Sequence, residues 1–291
     1  MASYFGTKMN PKRFHISQWR FLIILIPVAI FMGLPIVYIF NHAFKPLVEL
    51  FEWPPRFFVQ NPTFDNFIDL FAVTSSTGIP MSRYLFNSIL ITALTVFASI
   101  IIGSLAGFAL SKLEFRFKNT LMWVNNIAIM FVGASVSIPR YLVIETLGLI
   151  DSFWVHIIPG LAIPVGLFLI KQFIDQIPKD LLEASKIDGA NNFQIYWHII
   201  LPLIKPALAT IAIVAFQGVW NNTEVSNLFI NDESLKTFAF YMATLTTTGN
   251  TVAGQGMAAA ASLIMFIPNL LIFVILQRNV MNTMMHSGIK S

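Results

Sequence analysis

No cysteine occurs among the 291 residues, so disulfides, thiolate nucleophiles and cysteine-bound metals are excluded. Charge is scarce too. Asp, Glu, Lys and Arg make up 11% of the chain, against about 25% in a soluble domain. No Gly-x4-Gly-Lys-Ser/Thr loop is present to cradle nucleotide phosphates. There is no His-x-x-x-His pair, no Gly-x-Ser-x-Gly turn and no pair of acids within an apolar run, and the five histidines are scattered from His15 to His286. No catalytic or metal-binding constellation is left, and the expected metal ligand set is none.

What is present is apolar surface, with 56% hydrophobic residues. A helix needs about 20 apolar residues to cross the hydrocarbon core. Six segments approach that length, at 21–40, 85–110, 120–138, 154–170, 203–220 and 256–276, and none contains an acid. The expectation is an all-α polytopic protein embedded in a lipid bilayer. Its parts are an N-terminal segment 1–20, a transmembrane domain 21–280 and a tail 281–291. The run at 21–40 is too long for a signal-peptide core of about 7–15 residues, so it reads as an uncleaved first span. The net charge of +4 points to basic loops at a membrane surface and not to nucleic acid.

Basic residues orient the spans. With the N-terminus inside, the inner segments hold Lys8, Lys12, Arg13, Arg20, Lys112, Arg116, Lys118, Lys171, Lys179, Lys186, Lys205, Arg278 and Lys290. The outer segments hold Lys45, Arg56, Arg83, Arg140 and Lys236. That bias favours both termini in the cytoplasm. Loops 41–84 and 221–255 are then external, and 171–205 is a cytoplasmic connection.

This connection is polar and marked by turn residues. Pro178 suits a first helical turn, and Asp180 and Glu183 sit near its positive end. Gly189 suits a left-handed helix end, and Asn191 or Asn192 can cap a second helix. In that second helix Phe193, Tyr196, Trp197 and Ile200 fall at i, i+3, i+4 and i+7, one apolar face. The face requires either this chain's own helix ends or a groove on another protein.

The string Glu183-Ala184-Ser185-Lys-Ile-Asp188-Gly189, then nine residues, then Ile199-x-Leu201-Pro202, resembles the EAA loop of the membrane subunits of binding-protein-dependent ABC importers. Only Ser185 departs from Glu-Ala-Ala, a small residue for a small one. Phe44-Lys-Pro46, Pro62-Thr-Phe64, Asn87-Ser88, Leu147-Gly-Leu-Ile-Asp151 and Ser287-Gly-Ile-Lys290 resemble the carbohydrate-uptake branch, including maltose-type and alginate or oligosaccharide importers. Trp220-Asn-Asn-Thr-Glu224 departs from that branch's Trp-Asn-Glu-Phe.

The resemblance implies the type I importer permease fold in a bacterial cytoplasmic (inner) membrane. The implied partners are a homologous second membrane subunit, two ATPase subunits and an external substrate-binding protein. ATP and Mg would be bound by the ATPases, with no cofactor in this chain. Glu183, Ala184, Ser185, Asp188, Gly189, Leu201 and Pro202 would couple to an ATPase. The tail residues His286, Ser287, Gly288, Ile289 and Lys290 would touch the same interface, and the segment 237–254 would reach the binding protein. Asn125, Asn126, Gln217 and Asn269 are the polar candidates for a sugar pathway, or else stitch helices together. The competing reading is an ion-gradient-driven secondary carrier. Such carriers usually place acids within the membrane, and none is present here.

Overall fold

A computed structural model describes residues 19–72, 78–248 and 252–288. The described residues are mostly helical and contain no strand. In chain order the helices are α1 (Trp19–Ala43), α2 (Leu47–Leu50), α3 (Asp65–Ala72), α4 (Met81–Lys112), α5 (Lys118–Met130), α6 (Ser137–Thr146) and α7 (Pro164–Asp175). They continue with α8 (Lys179–Ile187), α9 (Asn192–Ile195), α10 (Leu201–Leu203), α11 (Lys205–Trp220), α12 (Glu224–Leu228), α13 (Phe238–Thr248) and α14 (Val252–Gly288).

Among the described residues, four stretches are long and apolar enough to cross a membrane, namely Phe21–Ala43, Met81–Lys112, Phe153–Asp175 and Gly254–Arg278. The sequence implied an uninterrupted third span, which the structure breaks, and a fifth at 203–220, which the structure keeps as α11 with a bend at its start. Lys118–Met130 and Gly133–Thr146 meet at 110°, and Asn192–Leu203 and Lys205–Leu228 meet at 78°. At the first break Phe131 and Val132 are extended, with ψ of 132° and 136°. At the second, Pro206 lies in the first turn of α11 and has no N–H to continue the preceding helix. Counting each bent pair as one crossing gives up to six.

The supposed loops carry helices of their own. Segment 41–84 contains α2 and α3, and 221–255 contains α12 and α13. Helix α14 runs past the expected tail boundary at 281 as far as Gly288.

The chain divides into two compact units, 1–70 with 249–263, and 71–248 with 264–291. In the first, the Asn66 amide donates to the carbonyls of Ala43 (3.0 Å) and Lys45 (2.7 Å) and closes the chain back on the end of α1. In the second, α4 packs against α7 and α11. Gly107 makes the approach to α7 possible, because a Cβ there would lie 2.4 Å from Ile170 Cγ2. That small residue therefore serves packing inside the subunit. One core cluster joins Phe108, Ile170, Ile174, Leu182, Tyr196, Ile200 and Ile211. A second joins Ile144, Val155, Phe229 and Ile230.

Candidate functional site

The polar connection between α7 and α11 folds as two short helices with a fixed corner. Pro178 is the N-cap of α8, one position earlier than its first-turn expectation. At the other end, Gly189 has φ +84°. Its N–H donates to Lys186 O, and Ala190 N–H donates to Ser185 O, each at 3.0 Å. That crossed pair is a Schellman motif, which satisfies carbonyls that the helix end would otherwise orphan. Asn191 then opens α9 with a reciprocal capping box. Its Oδ1 accepts from Gln194 N–H, and Gln194 Oε1 accepts from Asn191 N–H, both at 2.9 Å. Capping bonds thus set the corner on both sides.

A π-turn over Tyr196–Ile200 follows α9. The extra residue per turn divides the predicted apolar face. Ile195, Tyr196 and Ile200 point into the core, while Phe193 and Trp197 stay 67% and 54% exposed. The two exposed rings stack 6.3 Å apart with planes 17° off parallel. Half of the face thus serves the chain itself, and half is left uncovered.

Polar contacts tie this segment to the spans. Tyr196 Oη and Ser104 Oγ lie 2.7 Å apart, both buried. Ser104 Oγ also donates to Ile101 O at 3.1 Å, so the tyrosine hydroxyl is the donor to Ser104. Lys112 Nζ donates to Ile177 O at 2.7 Å, and Ser111 Oγ to Asp175 Oδ1 at 2.5 Å. Sequence periodicity placed Tyr196 on an apolar face and carried no signal for its hydroxyl partner 92 positions away. The asymmetry gives a prediction. Tyr196→Phe removes one bond and leaves Ser104 satisfied, at about 1 kcal/mol, whereas Ser104→Ala strands a buried phenol at about 1–3 kcal/mol. Thermal unfolding of purified protein is expected to rank Ser104→Ala below Tyr196→Phe. The reverse order would mean that the phenol's main contact lies elsewhere.

Glu183, Ala184, Asp188, Gly189 and Pro202 are exposed on the connection, with Ser185 and Leu201 half-buried. Ser185 Oγ donates to Leu181 O at 2.7 Å. A concavity of about 360 Å³ brings together Ser185, Asp188, Gly189, Gln194 and His198. The motif did not single out Gln194 or His198, and the capping box and π-turn place them there.

The pathway candidates are not gathered in one place. Asn125 Nδ2 donates to Pro164 O at 3.1 Å and borders a cavity of about 230 Å³ that none of the other three lines. Asn269 Nδ2 donates to Met265 O at 2.9 Å, a bond within its own helix. Asn126 and Gln217 are exposed. The backbone of His286, Ser287 and Gly288 continues α14, while Ile289 and Lys290 lie outside the described residues. Glu224, flagged by its shifted motif, ion-pairs with Arg140, whose guanidinium also lies 5.8 Å from the Phe229 ring centre.

The segment after α12 is held down firmly. Asn87 Nδ2 donates to Ser234 O and Lys236 O, Phe238 N–H donates to Ser88 Oγ, and the Tyr84 and Tyr241 rings stack 4.9 Å apart. Helix α13 therefore begins on a fixed base. Among the described residues no cluster of His, Asp and Glu could hold a metal ion.

A family model for the inner membrane component of binding-protein-dependent transport systems matches residues 95–282. The chain belongs to this family. It is a permease subunit of an ABC transporter, is not an enzyme, and leaves ATP hydrolysis to a separate ATPase. Membership sets aside the ion-driven carrier reading. The chain is 30% identical over 269 residues to protein LplC of Bacillus subtilis, covering 88% of this chain and 89% of that protein. It is 26% identical to the arabinooligosaccharides transport system permease protein AraQ of Halalkalibacterium halodurans, covering 97% and 100%. In fold it resembles a chain from a crystal structure of a bacterial ABC transporter involved in import of the acidic polysaccharide alginate. The TM-score is 0.77 at 21% identity, over 92% of this chain and 99% of that one. As an inner-membrane-component family member with several apolar helices, it is a multi-pass membrane protein.

Proposed function

We propose that this permease subunit pairs with a second, homologous membrane subunit to form the pathway for an oligosaccharide, fragments of acidic polysaccharides included. Two ATPase subunits that bind ATP and Mg drive the cycle, and an external binding protein delivers the sugar. The assembly sits in a bacterial cytoplasmic membrane, with six crossings and both termini inside. Support for the cargo class comes from the arabinooligosaccharide transport named for the relative AraQ. The single observation that carries the mechanism is the capped corner at Gly189. Its Glu183 side faces solvent, while its Tyr196 side is locked into the bundle.

That arrangement has a mechanical meaning. A docking element must present groups to a partner and also pass displacement inward without absorbing it. Exposed Glu183, Asp188, Phe193 and Trp197 supply the first requirement. The Schellman and capping-box bonds, with the core around Ile170 and Ile200, supply the second. Closure of the ATPase pair on ATP would move the corner, and α4, α7 and α11 would follow.

Purification of the tagged chain from its native membrane tests the reading. A second permease and an ATPase are expected to co-purify, with ATP hydrolysis stimulated by saccharide-loaded binding protein. Saccharide uptake into vesicles driven by an ion gradient without ATP would overturn it.

A further inference from the structure

The segment following α1 is held stiffly yet exposes large aromatic rings. Glu49 is 9% exposed, and its carboxylate accepts from Gln60 N–H (3.1 Å), Asn61 N–H (2.8 Å) and Asn61 Nδ2 (3.1 Å). The Gln60 bond, foremost, holds its pKa below the usual carboxylate value. Lys45 is 1% exposed and donates to Arg56 O, and Asn41 Oδ1 accepts from Val59 N–H at 3.1 Å. This frame keeps Trp53 88% exposed, with Phe51 and Phe58 more than half exposed. Rings held out by buried polar clips are presented, since a loose loop could fold them inward.

Two observations identify what covers them. The aromatic patch is continuous with α1, where Phe57 lies 6.0 Å from Tyr38 and 5.1 Å from Phe58. The most apolar window of α1 is itself uncovered by this chain. The patch also carries no net charge, because Glu52 and Arg56 pair at 2.6 Å. It has nothing to steer a charged protein surface, whereas indole and phenyl rings partition to the boundary between headgroups and acyl chains.

We infer that residues 51–58 form an interfacial anchor, with Trp53 and Phe58 seated among the lipid glycerol and upper acyl groups where α1 leaves the membrane. Loop 41–84, on this inference, fixes the position of α1 in the bilayer and is not a receptor surface.

Fluorescence quenching tests this with the full chain in vesicles of phosphatidylethanolamine and phosphatidylglycerol. The contribution of Trp53 is isolated as the difference from Trp53→Phe, a substitution at an exposed ring that leaves the frame intact. Lipids brominated near the headgroup are expected to cut the Trp53 signal about twofold, with iodide in the aqueous phase having little effect. Free quenching by iodide without quenching by brominated lipid would overturn the inference. So would iodide shielding that appears only when a binding protein is added, which would assign the patch to that protein. None of these readouts involves ATP, so failure here leaves the transport assignment untouched.

Discussion

Replacing Gly189 with proline is expected to cut uptake in a reconstituted complex about tenfold or more while ATP hydrolysis continues. The reason lies in the backbone. Gly189 sits at φ +84°, and no atom lies within 4 Å of where a Cβ would be, so a side chain meets open space but a strained conformation. For a residue with a Cβ the left-handed region costs roughly 1–2 kcal/mol. Proline cannot reach it at all, because its ring holds φ near −65°, and it deletes the N–H that donates to Lys186 O. The corner must then open, and the stacked Phe193 and Trp197 pair swings away from Glu183.

A graded series separates corner geometry from partner contact. Asparagine tolerates the left-handed region, so Gly189→Asn is expected to retain most coupling. Alanine should fall between, and valine near proline. The measurement is sugar transported per ATP hydrolysed. If asparagine proves as damaging as valine, bulk at the partner interface governs and backbone geometry does not.

Much of this corner was legible in the sequence because its signals are local. Gly189 and Asn191 act within one helical turn, and each holds the role its residue type suggested. The continuous spans were legible for the same kind of reason, since apolar length is a property of the string. The break at Phe131–Val132 was not, because apolar residues flank it on both sides. An unbroken hydrophobic run looks the same whether its helix is straight or bent. The pathway amides were visible as residues but not as a site. Whether Asn125 faces a cavity or the Pro164 carbonyl depends on which helix lies beside it. The pair of Ser104 and Tyr196 was hidden for a further reason, in that 92 positions separate two hydroxyls that only helix packing brings together.

The second large effect is expected at Gly107. A Cβ built there would stand 2.4 Å from Ile170 Cγ2 and 3.2 Å from Ile170 Cβ, with Ile170 fully buried. A β-branched side chain cannot withdraw those atoms by a rotamer change without striking its neighbours, so α4 and α7 must separate. Overpacking of this kind costs typically about 1–3 kcal/mol. The lost van der Waals contact matters more in a membrane, where apolar helices gain little by leaving lipid for one another. Gly103 provides the internal control, because its Cβ would meet Ile170 Cδ1 at 3.4 Å, an ordinary contact. Gly107→Ala is therefore expected to lower the thermal unfolding midpoint clearly, and Gly103→Ala hardly at all. Ile170→Ala alone leaves a cavity and is expected to cost about 2–5 kcal/mol. Combined with Gly107→Ala it should cost less than the sum, since each change relieves the other. A double mutant that is simply additive would show that Gly107 and Ile170 do not share this contact. Because Ile170 belongs to the same cluster as Tyr196 and Ile200, the repaired double variant should also recover coupling lost in Gly107→Ala. Stability restored without coupling would mean that the α4–α7 seam supports the bundle but does not carry the motion of the Gly189 corner.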